Sequence, residues 1–160
     1  MWIPFNEMPE EARVWIYPSN RKLSPEEVTS VTEVLQSFVA DWAAHGTPLE
    51  ASFDIRYDRF IILAVNGEVQ PASGCSIDAS VKVIQDLEQQ LGIDLLDKMN
   101  VTFKTGDFLA HKTLTEFKKM AKDKAVNEDT IVFNNLINTV GELEADWEVP
   151  ASDSWHGRFF

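Results

Sequence analysis

Ser52-Phe53-Asp54-Ile55-Arg56-Tyr57-Asp58-Arg59-Phe60-Ile61-Ile62-Leu63-Ala64-Val65 decides the fold. Its first half alternates. Phe53, Ile55 and Tyr57 fall on one face, and Ser52, Asp54 and Arg56 on the other, the pattern of a half-exposed strand. Its second half, Phe60 to Val65, is apolar without a break, the pattern of a central strand covered on both faces. Asp58 sits between them, where a tight turn belongs. Two strands joined so closely pair antiparallel, because a parallel pair needs a crossover of a dozen residues or more. Asn66-Gly67 then gives a hairpin-turn signal. Pro71 limits the next segment to a short edge strand or a loop.

Upstream, Ala12-Arg13-Val14-Trp15-Ile16-Tyr17 is rich in β-formers and stops at Pro18-Ser19-Asn20, which predicts a strand and a turn. Ser24-Pro25-Glu26-Glu27 is a capping box with proline at the first helical position. Val28, Val31, Val34, Leu35, Phe38 and Trp42 follow at helical spacing, and Gly46 with Pro48 closes the element. The spacing predicts a helix over 25–44. Downstream, Ser73-Gly74-Cys75-Ser76 opens a second helix, whose stripe is Ile77, Val81, Ile84, Leu87 and Leu91 and whose stop is Gly92. Met99 to Lys104 and Asp107 to His111 read as a hairpin about Thr105-Gly106. Thr113 and Glu116 cap a short helix, Thr130 to Phe133 is a strand, and Thr139 with Glu142 repeats the capping spacing before Val140, Leu143 and Trp147. The expected fold is α+β. It is a two-layer sandwich with a mostly antiparallel sheet of about five to six strands and three to four helices, in one domain across residues 1–160.

The chain has 160 residues, 44% apolar and 25% charged, which fits one folded domain and excludes disorder and a disulfide scaffold. Its net charge is −12, with five basic against twelve acidic residues in 1–80 and nine against fourteen in 81–160. Neither half is basic, so nucleic acid and anionic membrane surfaces are not the expected partners. The one cysteine fits a reducing, cytoplasmic setting. The first residues have neither the basic nor the long apolar region of a signal peptide. No apolar run approaches the ~20 residues of a membrane span.

Cys75 is the sharpest chemical candidate. At a helix start the unpaired N–H groups and the dipole favour an anion or a thiolate. Ser73, Gly74, Ser76 and Asp78 around it form a candidate site for a small anionic ligand, with His45 or His111 as a base. A phosphatase loop needs arginine six residues after the cysteine, where this chain has Val81. The plainer alternative is a partly buried structural cysteine beside capping serines. No Gly-Lys pair and no GxGxxG is present, which excludes the standard ATP-hydrolysing apparatus. The three histidines stand apart without metal-ligand spacing, and no metal or other cofactor is expected. Asp54 and Asp58 read as part of a solvated acidic face.

The C-terminal stretch is aromatic, ending Ser154-Trp155-His156-Gly157-Arg158-Phe159-Phe160. Such a tail buries itself in its own domain or anchors an interface, since Trp, Phe and Arg are hot-spot residues. Trp2, Phe5, Trp155, His156, Arg158, Phe159 and Phe160 are the candidate interface, with the N-terminal aromatics sharing the patch and a homodimer as the natural product. Asp153, Ser154 and His156 are too close in sequence to form a hydrolase triad.

Ala44-His45-Gly46, Arg59-Phe60-Ile61-Ile62-Leu63-Ala64-Val65, Ser73-Gly74-Cys75-Ser76-Ile77-Asp78, Ile131-Val132-Phe133-Asn134-Asn135-Leu136 and Asp153-Ser154-Trp155-His156 together resemble a family of small uncharacterised bacterial proteins of about this length. The resemblance spans the whole chain. Members of the family sometimes carry the label "ABC transporter ATPase", but the resemblance implies no catalytic residues, and no Walker A lysine supports the label. The favoured expectation is a non-enzymatic binding or interaction module. The alternative is a thiol-dependent enzyme or an anion site at Ser73–Asp78.

Overall fold

The apolar run becomes the central strand of the first sheet. In the computed structural model, which describes residues 1–160, β1 (Arg13–Pro18), β4 (Ala51–Arg56) and β5 (Phe60–Val65) pair antiparallel in the order β1-β5-β4. Trp15 faces Leu63 on one side of β5, and Phe53 faces Leu63 on the other. Both edges of β5 are therefore taken. This is why Asn66-Gly67 makes no hairpin. Asn66 instead closes a local turn, its Oδ1 accepting from the Glu68 amide at 3.2 Å, and the chain leaves for a helix.

Period-2 alternation sends the strand residues to two cores. Trp15, Tyr17, Ile61, Leu63 and Val65 pack under α1 (Pro25–Asp41) and α2 (Gly74–Leu91), against Val31, Leu35, Val39, Ile84 and Leu87. Val14, Ile16, Phe60, Ile62 and Ala64 point the other way and meet Phe133, Ile137, Val140, Leu143 and Trp147. Each fully buried side chain of this size contributes about 1.5–3 kcal/mol. The sequence reading of Phe60–Val65 as covered on both faces holds.

Helix α1 begins as expected, with Ser24 and Glu27 closing a reciprocal capping box. It ends at Asp41 rather than at residue 44. Trp42 turns to extended backbone so that its indole Nε1 donates to the Ser76 carbonyl at 2.8 Å, and its own carbonyl accepts from the Leu49 amide at 2.9 Å. The Gly46-Pro48 signal belongs to a small hairpin of β2 (Ala43–Ala44) and β3 (Thr47–Pro48), turning through His45 and Gly46 at positive φ.

The second half of the chain builds another antiparallel sheet, in the order β7-β6-β8-β9. Its strands are β6 (Val101–Thr105), β7 (Phe108–Lys112), β8 (Ile131–Phe133) and β9 (Glu148–Pro150). The strands are thus distributed over separate sheets, and β9 carries no periodic signal in so short a segment. Helix α3 (Leu114–Lys122) opens on the Thr113–Glu116 capping box. Helix α4 (Val140–Asp146) is capped by Thr139, and Trp147 lies just beyond its end. Val101, Phe103, Phe117, Val126, Val132 and Ala151 form a third cluster on this sheet. No helix is long and apolar enough to cross a membrane.

Candidate functional site

The loop between β4 and β5 is where local sequence and backbone geometry disagree. Tyr57 and Asp58 both have positive φ, 56° and 52°, and the Arg59 amide closes the turn on the Arg56 carbonyl at 3.1 Å. Turns with two positive-φ residues favour Asn and Gly, and an aromatic there is strained by about 1–3 kcal/mol. Tertiary contacts hold it. The Tyr57 hydroxyl donates to the Glu148 carboxylate. Its ring stands edge-on to Phe133 at 5.4 Å and lies 6.2 Å from Trp147. The residue nevertheless remains 45% exposed.

Tyr57 forms one wall of a cleft of about 460 Å³, completed by Arg56, Leu143, Glu144, Trp147 and Glu148. Arg56 is the hub. Its guanidinium donates to Asp54 at 2.9 Å and to Glu144 at 3.1 Å, and it lies 5.8 Å from the Trp147 ring centre and 5.6 Å from that of Phe5. Burial works against the Arg56 charge, but the bonds to Asp54 and Glu144 outweigh it and hold its pKa above the usual value. Lys104 reaches Glu148 at 3.2 Å and sits 5.7 Å from the Tyr57 ring centre. The Glu148 hydrogen bond, helped by burial, pushes the Tyr57 phenol up. The Trp147 indole is fixed from behind, donating to Asn135 Oδ1 at 3.0 Å. A second cleft of about 550 Å³ shares Arg56 and Glu144 and continues past Asp54 to Phe5 and Met8.

This arrangement is aromatic rings set among carboxylates, with cations already resting near the rings. Ring faces and carboxylates both attract positive charge. The sequence placed Tyr57 in the strand alternation and read Asp54 as solvated. Nothing in the sequence brings Trp147 or Glu148 beside residue 57, which lies some ninety positions earlier. The one available signal was a turn between two strong strands that lacks both Asn and Gly.

The Cys75 site is placed differently. Cys75 is exposed, in the first turn of α2. Ser73 and Ser76 consume each other's donors: Ser76 N donates to Ser73 Oγ at 3.1 Å, and Ser73 N donates to Ser76 Oγ at 2.7 Å. An anion there finds Gly74 and Cys75 amides but no cation in hydrogen-bonded contact, and Asp78 is exposed nearby. His45 is exposed in the β2–β3 turn. His111 lies on β7 in the other sheet, its Nδ1 sharing a 2.9 Å hydrogen bond with Thr102 Oγ1. Burial first, then the Arg59 charge, pushes the His111 pKa down. Neither histidine is hydrogen-bonded to Cys75, and none of the three lines the well-formed clefts. No group of three or more His, Cys, Asp or Glu side chains is placed to hold a metal ion.

The aromatic termini do not share a patch. Trp2 bridges to Ala51 at the edge of β4, and Ile3 and Phe5 pack, partly buried, against the second core. The tail folds onto the third cluster instead. There Phe117 meets the His156, Phe159 and Phe160 rings, and Arg158 lies 5.3 Å from the Trp155 and Phe159 ring centres. His156 is wholly buried, so it cannot serve as an interface residue, while Trp2 and Phe160 remain 42% and 38% exposed. Ser154 Oγ caps the last turn by accepting from the His156 amide at 3.1 Å, and it also shares a hydrogen bond of 2.6 Å with His156 Nδ1.

Comparison with known proteins returns no matching family model, no matching curated protein and no matching solved structure.

Proposed function

We propose that the protein is a non-catalytic binding module whose Tyr57–Trp147 cleft takes a basic segment of a partner protein. The observation that carries this reading is the strained turn at Tyr57. It presents a partly exposed phenol ring between Glu148 and the Trp147 wall, with Glu144 at the rim. Strain held in place by surrounding contacts is a mark of binding surfaces. Charge complementarity supports the partner class: a chain of net charge −12 steers cations inward and repels a second copy of itself. A Lys or Arg side chain entering the cleft takes over ring faces and carboxylates that Arg56 and Lys104 now use. The thiol-dependent alternative lacks a base beside Cys75 and a cleft to hold a substrate.

The test is fluorescence anisotropy of a labelled Lys/Arg-rich peptide, with a Glu-rich peptide of equal length as control. Wild type binds the basic peptide more weakly as salt rises. Tyr57→Gly keeps the positive-φ turn, removes the ring and weakens binding by roughly five-fold or more, the scale of one cation–π contact. Equal binding by Tyr57→Gly, or no binding by wild type at low salt, refutes the reading.

A further inference from the structure

Arg59 is the one arginine in this acidic chain without a matching group. Arg21 pairs with Glu27 and Arg56 with Asp54 and Glu144, while Arg13 and Arg158 rest over aromatic rings. Arg59 pairs with no carboxylate and lies over no ring. Its Nη2 donates to the Leu109 carbonyl at a long 3.3 Å, and its Nη1 is sealed from solvent with no partner at all. Guanidinium does not shed its proton to relieve burial, so a half-buried one calls for a counter-anion.

The space beside it is suited to one. Arg59 and the exposed, unpaired Lys22 line a cleft of about 260 Å³ between the Tyr57–Arg59 turn and the β6–β7 hairpin, walled by Tyr57, Phe108 and Leu109. We propose that this cleft binds a small organic carboxylate, its oxygens held by Lys22 and by the edge of the Arg59 guanidinium that lines the cleft, and its apolar part against Phe108, so that the delocalised Arg59 charge, including its sealed Nη1 end, gains a counter-anion. The volume equals roughly eight or nine waters at ~30 Å³ each, enough for a compact aromatic or branched acid. Asp58 and Asp107 also line the cleft. They balance the charges of Arg59 and Lys22, so charge alone does not select the anion, and the apolar wall of Phe108 and Leu109 favours an organic carboxylate over phosphate. Phe108, at 78%, is the most exposed large apolar side chain in the chain and gains cover from such a ligand. The site is independent of the Tyr57–Trp147 reading, since its ligand has the opposite charge and its key residue takes no part there.

The test uses benzoate as the probe and inorganic phosphate at matched ionic strength as the comparator, followed by thermal unfolding and by titration of the His111 ring protons. Benzoate raises the wild-type melting temperature saturably and raises the His111 pKa, because it offsets the Arg59 charge. Arg59→Met folds, since it removes an unmatched charge, and it weakens benzoate binding by roughly ten-fold or more. Arg158→Met binds as wild type. Should Arg59→Met fail to fold, Lys22→Ala, which alters an exposed side chain, weakens benzoate several-fold. The proposal is overturned if benzoate has no saturable effect on wild type, if Arg59→Met (or Lys22→Ala in its place) binds it equally, or if phosphate binds as well as benzoate.

Discussion

Lowering the pH from 7 to 5 should cost this protein stability at one buried imidazole. His156 is wholly enclosed, stacked on Trp155 at 3.9 Å and edge-on to Phe117 at 6.0 Å. Ser154 Oγ partners its Nδ1, its Nε2 has no partner, and Arg158 is the charged group facing it. Burial first, and then the Arg158 charge, pushes its pKa down to about 4. In the unfolded chain an imidazole titrates near 6.5. Between these values the unfolded state binds the extra proton, so stability is full above about pH 6.5 and is lost as pH falls toward 4. Linkage gives a loss of about 2 kcal/mol from pH 7 to pH 5 and about 3 kcal/mol by pH 4. Urea denaturation at pH 7, 6 and 5 on wild type and His156→Asn measures it. Comparing the pH dependence within each variant removes the cost of the substitution itself. His111 contributes with the same sign, so His111→Asn is run alongside. Glu27, held near 2 chiefly by its hydrogen bond to Arg21, acts below this window. The reasoning is refuted if wild type and His156→Asn lose the same stability between pH 7 and 5.

Packing and exposure dictate two further outcomes. Cys75 should be alkylated to one equivalent in the folded protein, and Cys75→Ala should leave the melting temperature unchanged, because the thiol is exposed; a thiol that reacts only in denaturant contradicts this. Phe60→Ala should lose about 3–5 kcal/mol in urea denaturation, since the ring is fully buried and packs at 4.8–4.9 Å from Phe133 and Trp147; a loss under about 1.5 kcal/mol shows that the two halves of the chain do not share that core.

Local signals were legible in the sequence to the extent that they act locally. Four helix starts carry their own caps: Ser24, Ser73, Thr113 and Thr139 each accept from the amide three residues on. The two-sided burial of Phe60–Val65 was readable because both of its faces are apolar. What failed was what depends on distant partners. Asn66-Gly67 has hairpin chemistry but no free strand edge to pair with. Trp42 continues the apolar stripe of α1, yet leaves the helix for a carbonyl thirty-four residues away. The candidate site was hidden for the same reason. Tyr57 and Glu148 are ordinary residues until β9 aligns with β8 and sets Glu148 beside the turn. Cys75 stood out because it is unique, and uniqueness in composition carries no geometry.

Both clefts hang on the turn between β4 and β5. Arg56, at the end of β4, enters the acidic cleft, and Arg59, just before β5, enters the other. Their environments are opposite. Arg56 has carboxylates in excess, with Glu144 largely exposed and free to engage a second cation. Arg59 has no carboxylate in direct contact, although Asp58 and Asp107 line the same cleft. A relaxed Asn-Gly turn would serve the strand pairing better, but it would supply no wall to either cleft. The non-glycine residues at positive φ therefore bear on the surface rather than on the sheet. Tyr57→Gly should accordingly retain the fold and lower the peptide affinity, while benzoate binding, which loses the Tyr57 wall but keeps Arg59 and Lys22, weakens by less than in Arg59→Met. If Arg59→Met, which touches only the second cleft, abolished both while the fold remained intact, the two clefts would be one site, and the opposite charge classes assigned to them would have to be wrong.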